Sequence, residues 1–156
     1  MRDALGGYFN LTILIFFIIM VTALIALALN YTRAYRVKDH IITYIEKYEG
    51  NMEENGKKDG MYSHINDYIK SVGYVASRTA MDNLDNKQFR GDTYTCVRDQ
   101  GWCYSKSTPQ ENERGEEEFH VNVVVFVNSH LPFINVLFSS QFFWMKGTTT
   151  DIPVFD

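Results

Sequence analysis

The chain has 156 residues, carries 15 Lys and Arg against 19 Asp and Glu, and is 46% hydrophobic and 15% aromatic. This length excludes a multi-domain enzyme and leaves room for one domain, or for one membrane segment and one small domain. A formal net charge of −4 argues against a nucleic-acid-binding protein, which needs a basic surface to contact phosphates. No charged residue lies between Asp3 and Arg33, so the mean hydropathy of −0.22 averages an apolar segment and a polar one.

An uninterrupted apolar segment runs from Leu11 to Leu29, with Thr12 and Thr22 as its only polar side chains. As a helix it measures about 28 Å, close to the thickness of the hydrocarbon core of a bilayer. The backbone of a single membrane span must satisfy its own hydrogen bonds, so the span has to be helical. We predict a short leader over residues 1–7 and a transmembrane helix over residues 8–30.

The apolar segment has two other interpretations. A helix buried in a globular core would require the rest of the chain to cover an apolar cylinder on every side. A cleaved signal peptide would have a shorter apolar region followed by small residues, which the stretch from Ala23 to Ala28 resembles. The length of the segment, and the helical pattern that continues beyond it, favour a retained anchor.

The helix is predicted to continue into the polar part of the chain, because no Gly or Pro occurs between Tyr8 and Glu49. After Asn30 the pattern becomes amphipathic. One face then carries an apolar stripe at spacings of three and four, made of Val37, Ile41, Tyr44, Ile45 and Tyr48. We predict that this stripe enters the core of a small head formed by residues 31–156.

The elements after the long helix are predicted to be short. In chain order we predict a charged loop (51–60), a second helix (61–72), an ambiguous stretch with a helical turn near 75–81 (74–92), a β-hairpin (94–105) and an acidic exposed loop (108–118). A strong strand over Phe119–Val127 follows, and a β-prone stretch over 142–149 is expected to pair with it. The predicted fold is α+β, with the long N-terminal helix packed on a small antiparallel sheet.

The core of the head is predicted to form between the helix stripe and one face of the strong strand. That face includes Val121, Val123 and Val125, and the alternate face is only half apolar. Replacing Ile41 or Val123 with Asp should therefore unfold the head. The same change at Lys47, or at Asn122 on the alternate face of the strand, should be nearly silent.

Cys96 and Cys103 are the only cysteines, one on each arm of the predicted hairpin. Cross-strand neighbours can meet disulfide geometry, so we predict a bond between them. The alternative is a pair of free thiols in a reduced cytoplasm. Two cysteines at this spacing form neither a zinc site nor a redox C-x-x-C motif.

The remaining polar residues indicate no catalytic, cofactor or metal site. The histidines are expected to be ordinary surface or edge residues: His40, His64, His120 and His130. Glu116, Glu117 and Glu118 are expected to be a solvated charge run. No nucleophile, P-loop or zinc-protease motif occurs, so we expect no enzyme activity, no cofactor and no small-molecule substrate.

The two indicators of membrane orientation disagree. Arg2 precedes the span while Arg33, Arg36 and Lys38 follow it, so the positive-inside rule places the head in the cytoplasm. A disulfide instead indicates an oxidising compartment. Arginine side chains at a helix end can reach headgroups on either side of a membrane, and we expect the head to be extracytoplasmic.

The order of the segments resembles that of pilin-like proteins, most closely the small TadE-like minor pilins of tight-adherence systems. The chain has a short polar leader (MRDALGG), an apolar helix that runs on as an amphipathic one, and a small β-containing head with a cysteine pair. The resemblance implies cleavage by a prepilin peptidase after Gly6 or Gly7. The family typically carries a glutamate five residues past the cut, where this chain has Leu11 or Thr12.

The resemblance implies a non-enzymatic membrane-anchored assembly subunit, a minor pilin or pseudopilin of a surface fibre or secretion machine. Its partners would be the membrane and other pilin-like subunits, contacted through the apolar helix. The alternative is a membrane-tethered binding or sensor module that never enters a fibre. A mature chain that starts at Gly7 or Tyr8 would favour the first, and an intact Met1 the second.

Overall fold

The structure, a computed structural model, describes residues 2–51, 60–75, 81–82, 84–85, 88–89, 92–127 and 144–154, without the side chains of residues 2–7 and 88–89. Its elements are α1 (Arg2–Lys47), α2 (Met61–Val72), β1 (Gln88–Phe89), β2 (Asp92–Thr93), β3 (Thr95–Val97), β4 (Trp102–Lys106), β5 (Gln110–Glu111), β6 (Glu117–Phe119), β7 (Val121–Phe126), β8 (Trp144–Thr148) and β9 (Ile152–Pro153). The predicted α+β fold, with a long N-terminal helix packed on a small antiparallel sheet, is confirmed.

The long helix α1 passes without interruption from the apolar segment into the head, as the absence of Gly and Pro predicts. It begins at Arg2, so the residues assigned to a leader are helical from Arg2 onward and continue directly into the apolar segment. It ends near Gly50, whose N–H group donates to the carbonyl oxygen of Ile45 at 2.9 Å. Gly50 has a φ of 66°, the left-handed conformation that closes many helices.

The second helix, α2, lies antiparallel to the head half of α1. The ring of His64 stacks near that of Tyr44, and the ring of Tyr68 stacks on that of His40, which is one turn nearer the apolar segment. Gly73, also left-handed at a φ of 66°, ends α2. The C-terminus of α2 therefore points back toward the apolar half of α1. Most of the predicted turn at 75–81 falls outside the described residues.

The main sheet has four antiparallel strands in the order β3-β4-β7-β8. The predicted hairpin forms β3 and β4, and the predicted pairing of the 142–149 stretch with the strong strand forms β7 and β8. The predicted single strand over 119–127 is wrong in its extent. It divides at His120 into β6 and β7, which belong to different sheets. The second sheet, β5-β6-β9, occupies the end of the head beside Gly50.

The acidic stretch 108–118 is not wholly an exposed loop, because it contains β5 and the start of β6. The side chain of Asn112 organises the connection between them. Its Oδ1 atom accepts hydrogen bonds from the backbone N–H groups of Arg114 at 2.8 Å and Glu116 at 3.0 Å. These side-chain hydrogen bonds act together with the backbone bond from the N–H group of Asn112 to the carbonyl oxygen of Glu116, at 2.9 Å, to close the turn.

The core lies between α1, α2 and one face of the main sheet. The fully buried members of the predicted core are Val37, Ile41, Ile45, Val121, Val123 and Val125. Tyr44 and Tyr48 are half-buried at its edge. A second, smaller cluster covers the opposite face of the sheet and buries Val124 and Phe126. Both faces of β7 are therefore covered, which is why all six of its residues are buried.

Candidate functional site

The apolar half of α1 projects away from the head with its side chains uncovered. Every residue from Tyr8 to Thr22 is exposed. The hydroxyl groups of Thr12 and Thr22 donate to the carbonyl oxygens of Tyr8 and Ile18, so neither leaves an unsatisfied polar group. Within the described part of the chain, this is the one helix long and apolar enough to cross a membrane. These features are compatible with a single-pass membrane protein.

Exposed tyrosines mark both ends of the apolar segment. Tyr8 is 72% exposed at one end, and Tyr31 and Tyr35 are 55% and 51% exposed at the other. Tyr8 and Tyr31 are about 35 Å apart along a straight helix. This distance slightly exceeds the thickness of the hydrocarbon core of a bilayer, so the two rings would lie at the headgroups on opposite sides of a membrane. The Nζ atom of Lys38 lies 4.4 Å from the centre of the Tyr35 ring. Amphipathic aromatic rings at such positions are typical of membrane–water interfaces.

The head packs directly on α1 with no linker after the apolar segment. Ala34 is fully buried, only five residues after Leu29. Gly147 of β8 lies so close to α1 that a Cβ atom there would contact Ile42 and Lys38. The Glu46 carboxylate accepts hydrogen bonds from the backbone N–H group of Thr150 at 2.7 Å and from its hydroxyl group at 3.1 Å. The exposed helix and the head thus form one continuous unit.

Cys96 and Cys103 face each other in the register of β3 and β4 and are joined by a disulfide. The bond lies beside an ion pair that holds the segment preceding the hairpin. The Asp85 carboxylate accepts a hydrogen bond from the backbone N–H group of Cys96 at 3.0 Å and pairs with Arg98 at 2.9 Å. The hydrogen bond from Arg98 lowers the pKa of Asp85, although desolvation acts in the opposite direction.

Five rings form a stacked group between α1 and α2, which we call the aromatic ladder: His40, Tyr44, Tyr48, His64 and Tyr68. The closest pair is His40 and Tyr68, with ring centres 3.6 Å apart and planes at 18°. Burial lowers the pKa of His40, partly opposed by the neighbouring Asp39 carboxylate. The sequence predicts that His40 and His64 are ordinary surface or edge residues. It does not indicate this group, because stacking between two helices has no signature in the sequence.

The other residues singled out from the sequence are not brought together into a site. His120 lies between β6 and β7, and His130 is outside the described residues. Glu118 accepts a hydrogen bond from the Asn112 side chain at 2.7 Å, so this member of the glutamate run has a structural partner. Among the residues that the structure describes, no three His, Cys, Asp or Glu side chains are arranged to hold a metal ion. Gly6 and Gly7 lie within α1.

Comparison of the chain with known protein families, characterised proteins and solved structures finds no match.

Proposed function

We propose that the chain is a non-enzymatic, membrane-anchored assembly subunit, of the minor pilin or pseudopilin type found in Tad-type pili and secretion machines. The observation that carries the proposal is the division of α1 into two halves. One half is apolar and exposed on all sides, and the other is the spine of the head. Lipid covers such a helix in a membrane, and other helices of the same kind would cover it in a fibre.

The N-terminal sequence supports this proposal in part. The short polar leader ending in Gly6 and Gly7, the apolar helix and the disulfide-bonded head follow the order typical of pilin-like proteins. The position of the customary glutamate is occupied by Leu11 or Thr12. The subunits would therefore associate through apolar contacts along α1, without a salt bridge from that position.

We further propose that the head is extracytoplasmic. The disulfide favours an oxidising compartment, against the count of Arg33, Arg36 and Lys38 on the head side of the span. Alkylation of intact cells, followed by denaturation and mass measurement without reductant, tests this orientation. Cys96 and Cys103 should stay unmodified and 2 Da lighter than the dithiol form, since each bonded sulfur has lost one hydrogen. Two alkylated cysteines would place the head in the cytoplasm.

The N-terminus and the packing of the apolar helix test the assembly role together. Mass spectrometry of the protein from its own cells should find a chain that starts at Gly7 or Tyr8. A double variant, Ile15→Cys with Phe17→Cys, places thiols on opposite sides of α1, because neighbours two apart differ by about 200°. Oxidation should then join neighbouring subunits into a series of covalent multimers. Glu113→Cys, on the exposed turn between β5 and β6, is the matched control and should stay monomeric.

A membrane-tethered binding or sensor module is the second candidate, favoured by the aromatic ladder. Its rings are half-buried or exposed, and such surfaces contact partners in many complexes. An intact Met1 combined with no multimers from the Ile15→Cys, Phe17→Cys variant would overturn the assembly role in favour of this module.

A further inference from the structure

The end of the head that lies beside Asn30 is called here the proximal end. Asn30 and Arg33 of α1 line a small cavity of about 20 Å³ together with Gly73, Tyr74 and Val75. The C-terminus of α2 therefore lies beside the point where α1 leaves its apolar segment.

The main sheet also ends here. The Tyr74 hydroxyl group lies 2.7 Å from the carbonyl oxygen of Phe126 and 3.1 Å from that of Gly101. The end of β7 and the turn of the β3–β4 hairpin thus belong to the proximal end. The opposite, distal end carries the β5-β6-β9 sheet.

The proximal end is close enough to a membrane to enter its headgroup layer. Asn30 and Arg33 lie one and four residues after Leu29, or about 1.5 to 6 Å along the helix axis. The headgroup layer of one leaflet is roughly 5–8 Å thick. Val75, which lines the same cavity as Arg33, is a 60% exposed apolar residue. If Leu29 ends the span, this shared cavity places Val75 near the depth of the headgroups.

Charge is distributed unequally between the two ends of the head. The exposed basic residues toward the proximal end are Arg33, Arg36 and Lys70. Arg98 at the same end pairs with Asp82 and Asp85. Other exposed carboxylates on this side are those of Asp39, Asp67 and Asp99. Asp39 lies beyond Arg33 and Arg36 along α1, and Asp67 lies one turn before Lys70 along α2, so both are farther from the proximal end than these basic residues. The distal end exposes three basic side chains, Lys47, Lys106 and Arg114, and twice as many carboxylates, those of Glu49, Glu111, Glu113, Glu116, Glu117 and Asp151. An anionic surface would attract the basic groups nearest the proximal end and would repel the distal end, where the exposed carboxylates outnumber the basic groups.

We propose that the proximal end of the head rests on anionic lipid headgroups, with Arg33, Arg36 and Lys70 at the phosphates and Val75 inserted among them. The inference rests on the membrane anchoring proposed above, and it holds for either orientation of the head. Arg33, Arg36 and Lys70 lie on one rigid unit, so their attraction to an anionic surface acts together on the tilt of the head. Because α1 is unbroken and no linker separates it from the head, the head cannot move away from the membrane independently of the helix.

The test uses the full chain in nanodiscs of phosphatidylcholine, with or without phosphatidylglycerol. A spin label is attached to Val75→Cys, to Glu113→Cys at the distal end, or to Ile18→Cys in the apolar segment. The two native cysteines are joined to each other, so each variant has one reactive thiol. Relative accessibility to oxygen and to a water-soluble nickel complex reports the depth of each label.

The label at residue 75 should be shielded from nickel, and more so with phosphatidylglycerol, while that at residue 113 stays in water with either lipid. Neutralising Arg33, Arg36 and Lys70 to Gln should abolish the response to phosphatidylglycerol. Neutralising Lys47, Lys106 and Arg114 to Gln, an equal loss of charge elsewhere on the head, should leave it intact.

The label at residue 18 separates the two proposals. If residue 18 is buried in lipid and residue 75 is fully accessible to nickel with both lipids, anchoring stands and the headgroup contact is overturned. If residue 18 is also accessible to nickel, anchoring itself fails, and the headgroup contact fails with it. A lipid response that survives loss of Arg33, Arg36 and Lys70 would overturn the assigned residues.

Discussion

The hydroxyl group of Tyr74 lies against both backbone polar groups of Phe126, 2.7 Å from its carbonyl oxygen and 3.1 Å from its amide nitrogen. The N–H group of Phe126 donates to the tyrosine oxygen, and the tyrosine O–H group donates to a carbonyl oxygen. Burial raises the pKa of Tyr74, although the hydrogen bond with Phe126 acts in the opposite direction. This one side chain joins the segment after α2 to the end of β7.

Tyr74→Phe should lower the free energy of unfolding of the head by about 1–3 kcal/mol, because it leaves the buried N–H group of Phe126 without its partner. Urea denaturation in detergent, followed by the fluorescence of the fully buried Trp102, measures the change. Tyr35→Phe removes the same atom from an exposed ring and is the matched control. Equal midpoints for the two variants would contradict the role given to the Tyr74 hydroxyl.

Gly50 and Gly73 separate the effect of backbone conformation from that of crowding. Both have a φ of 66°, but a Cβ atom at Gly50 would lie 2.7 Å from the Phe119 ring, whereas one at Gly73 would meet nothing within 4 Å. Gly73→Ala should cost about 1 kcal/mol for a side chain in the left-handed region. Gly50→Ala should cost roughly 1–3 kcal/mol more, since the ring must move. Thermal unfolding of the two variants in parallel measures the difference. Similar losses of stability would show that the Phe119 ring moves aside at little cost.

Ile41→Asp should unfold the head, because it places a carboxylate without a partner at a fully buried position between α1 and β7. The expected loss is several kcal/mol, comparable to the whole stability of a small domain. Lys47→Asp, on an exposed position of the same helix, should change the stability by less than about 1 kcal/mol. Circular dichroism and protease resistance of the two variants provide the comparison.

Asn122 departs from the sequence-based expectation that a change there is nearly silent. It is only 5% exposed, its Oδ1 atom accepts a hydrogen bond from the Thr148 hydroxyl group at 2.9 Å, and its Nδ2 atom donates to Asp92 at 3.3 Å. Asn122→Asp would set a second carboxylate beside Asp92 and should lower the stability by about 1–3 kcal/mol at neutral pH. A loss of stability that becomes smaller at acidic pH is the expected signature of repulsion between the two carboxylates, and a loss independent of pH would exclude repulsion as its cause.

Acid should weaken the contact between α1 and α2 through His40. Burial lowers the pKa of this imidazole in the folded head, so the unfolded chain binds the proton more readily. The stability contributed by the neutral ring is complete above the unfolded pKa of about 6.5 and declines as the pH falls below it. His40→Phe keeps a ring stacked on Tyr68 and should remove this part of the pH dependence. Urea midpoints of the unaltered protein and of the His40→Phe variant, measured across pH 5 to 8, provide the test. If the midpoints of the two proteins change with pH in parallel, a group other than His40 is responsible for the pH dependence.

Several features of the fold are determined by residues close together in the sequence. The absence of Gly and Pro between Tyr8 and Glu49 keeps α1 continuous from the apolar segment into the head. Side chains at spacings of three and four place Ile41 on the face that is buried. Alternation in the strong strand likewise places Val123 in the core. The hairpin register sets Cys96 opposite Cys103, because the turn between their strands is short. In each case residues that are close together in the sequence are sufficient to predict the feature.

Only the tertiary structure decides where these elements meet. The division of the strong strand at His120, the burial of Asn122 and the stacking of His40 on Tyr68 all depend on residues far away in the sequence. The same holds for the cavity that Val75 shares with Asn30 and Arg33, where α1 leaves its apolar segment. Helix and strand periodicity is set by local backbone geometry, whereas sheet membership, ring stacking and the distribution of charge over a surface are set by contacts between distant segments.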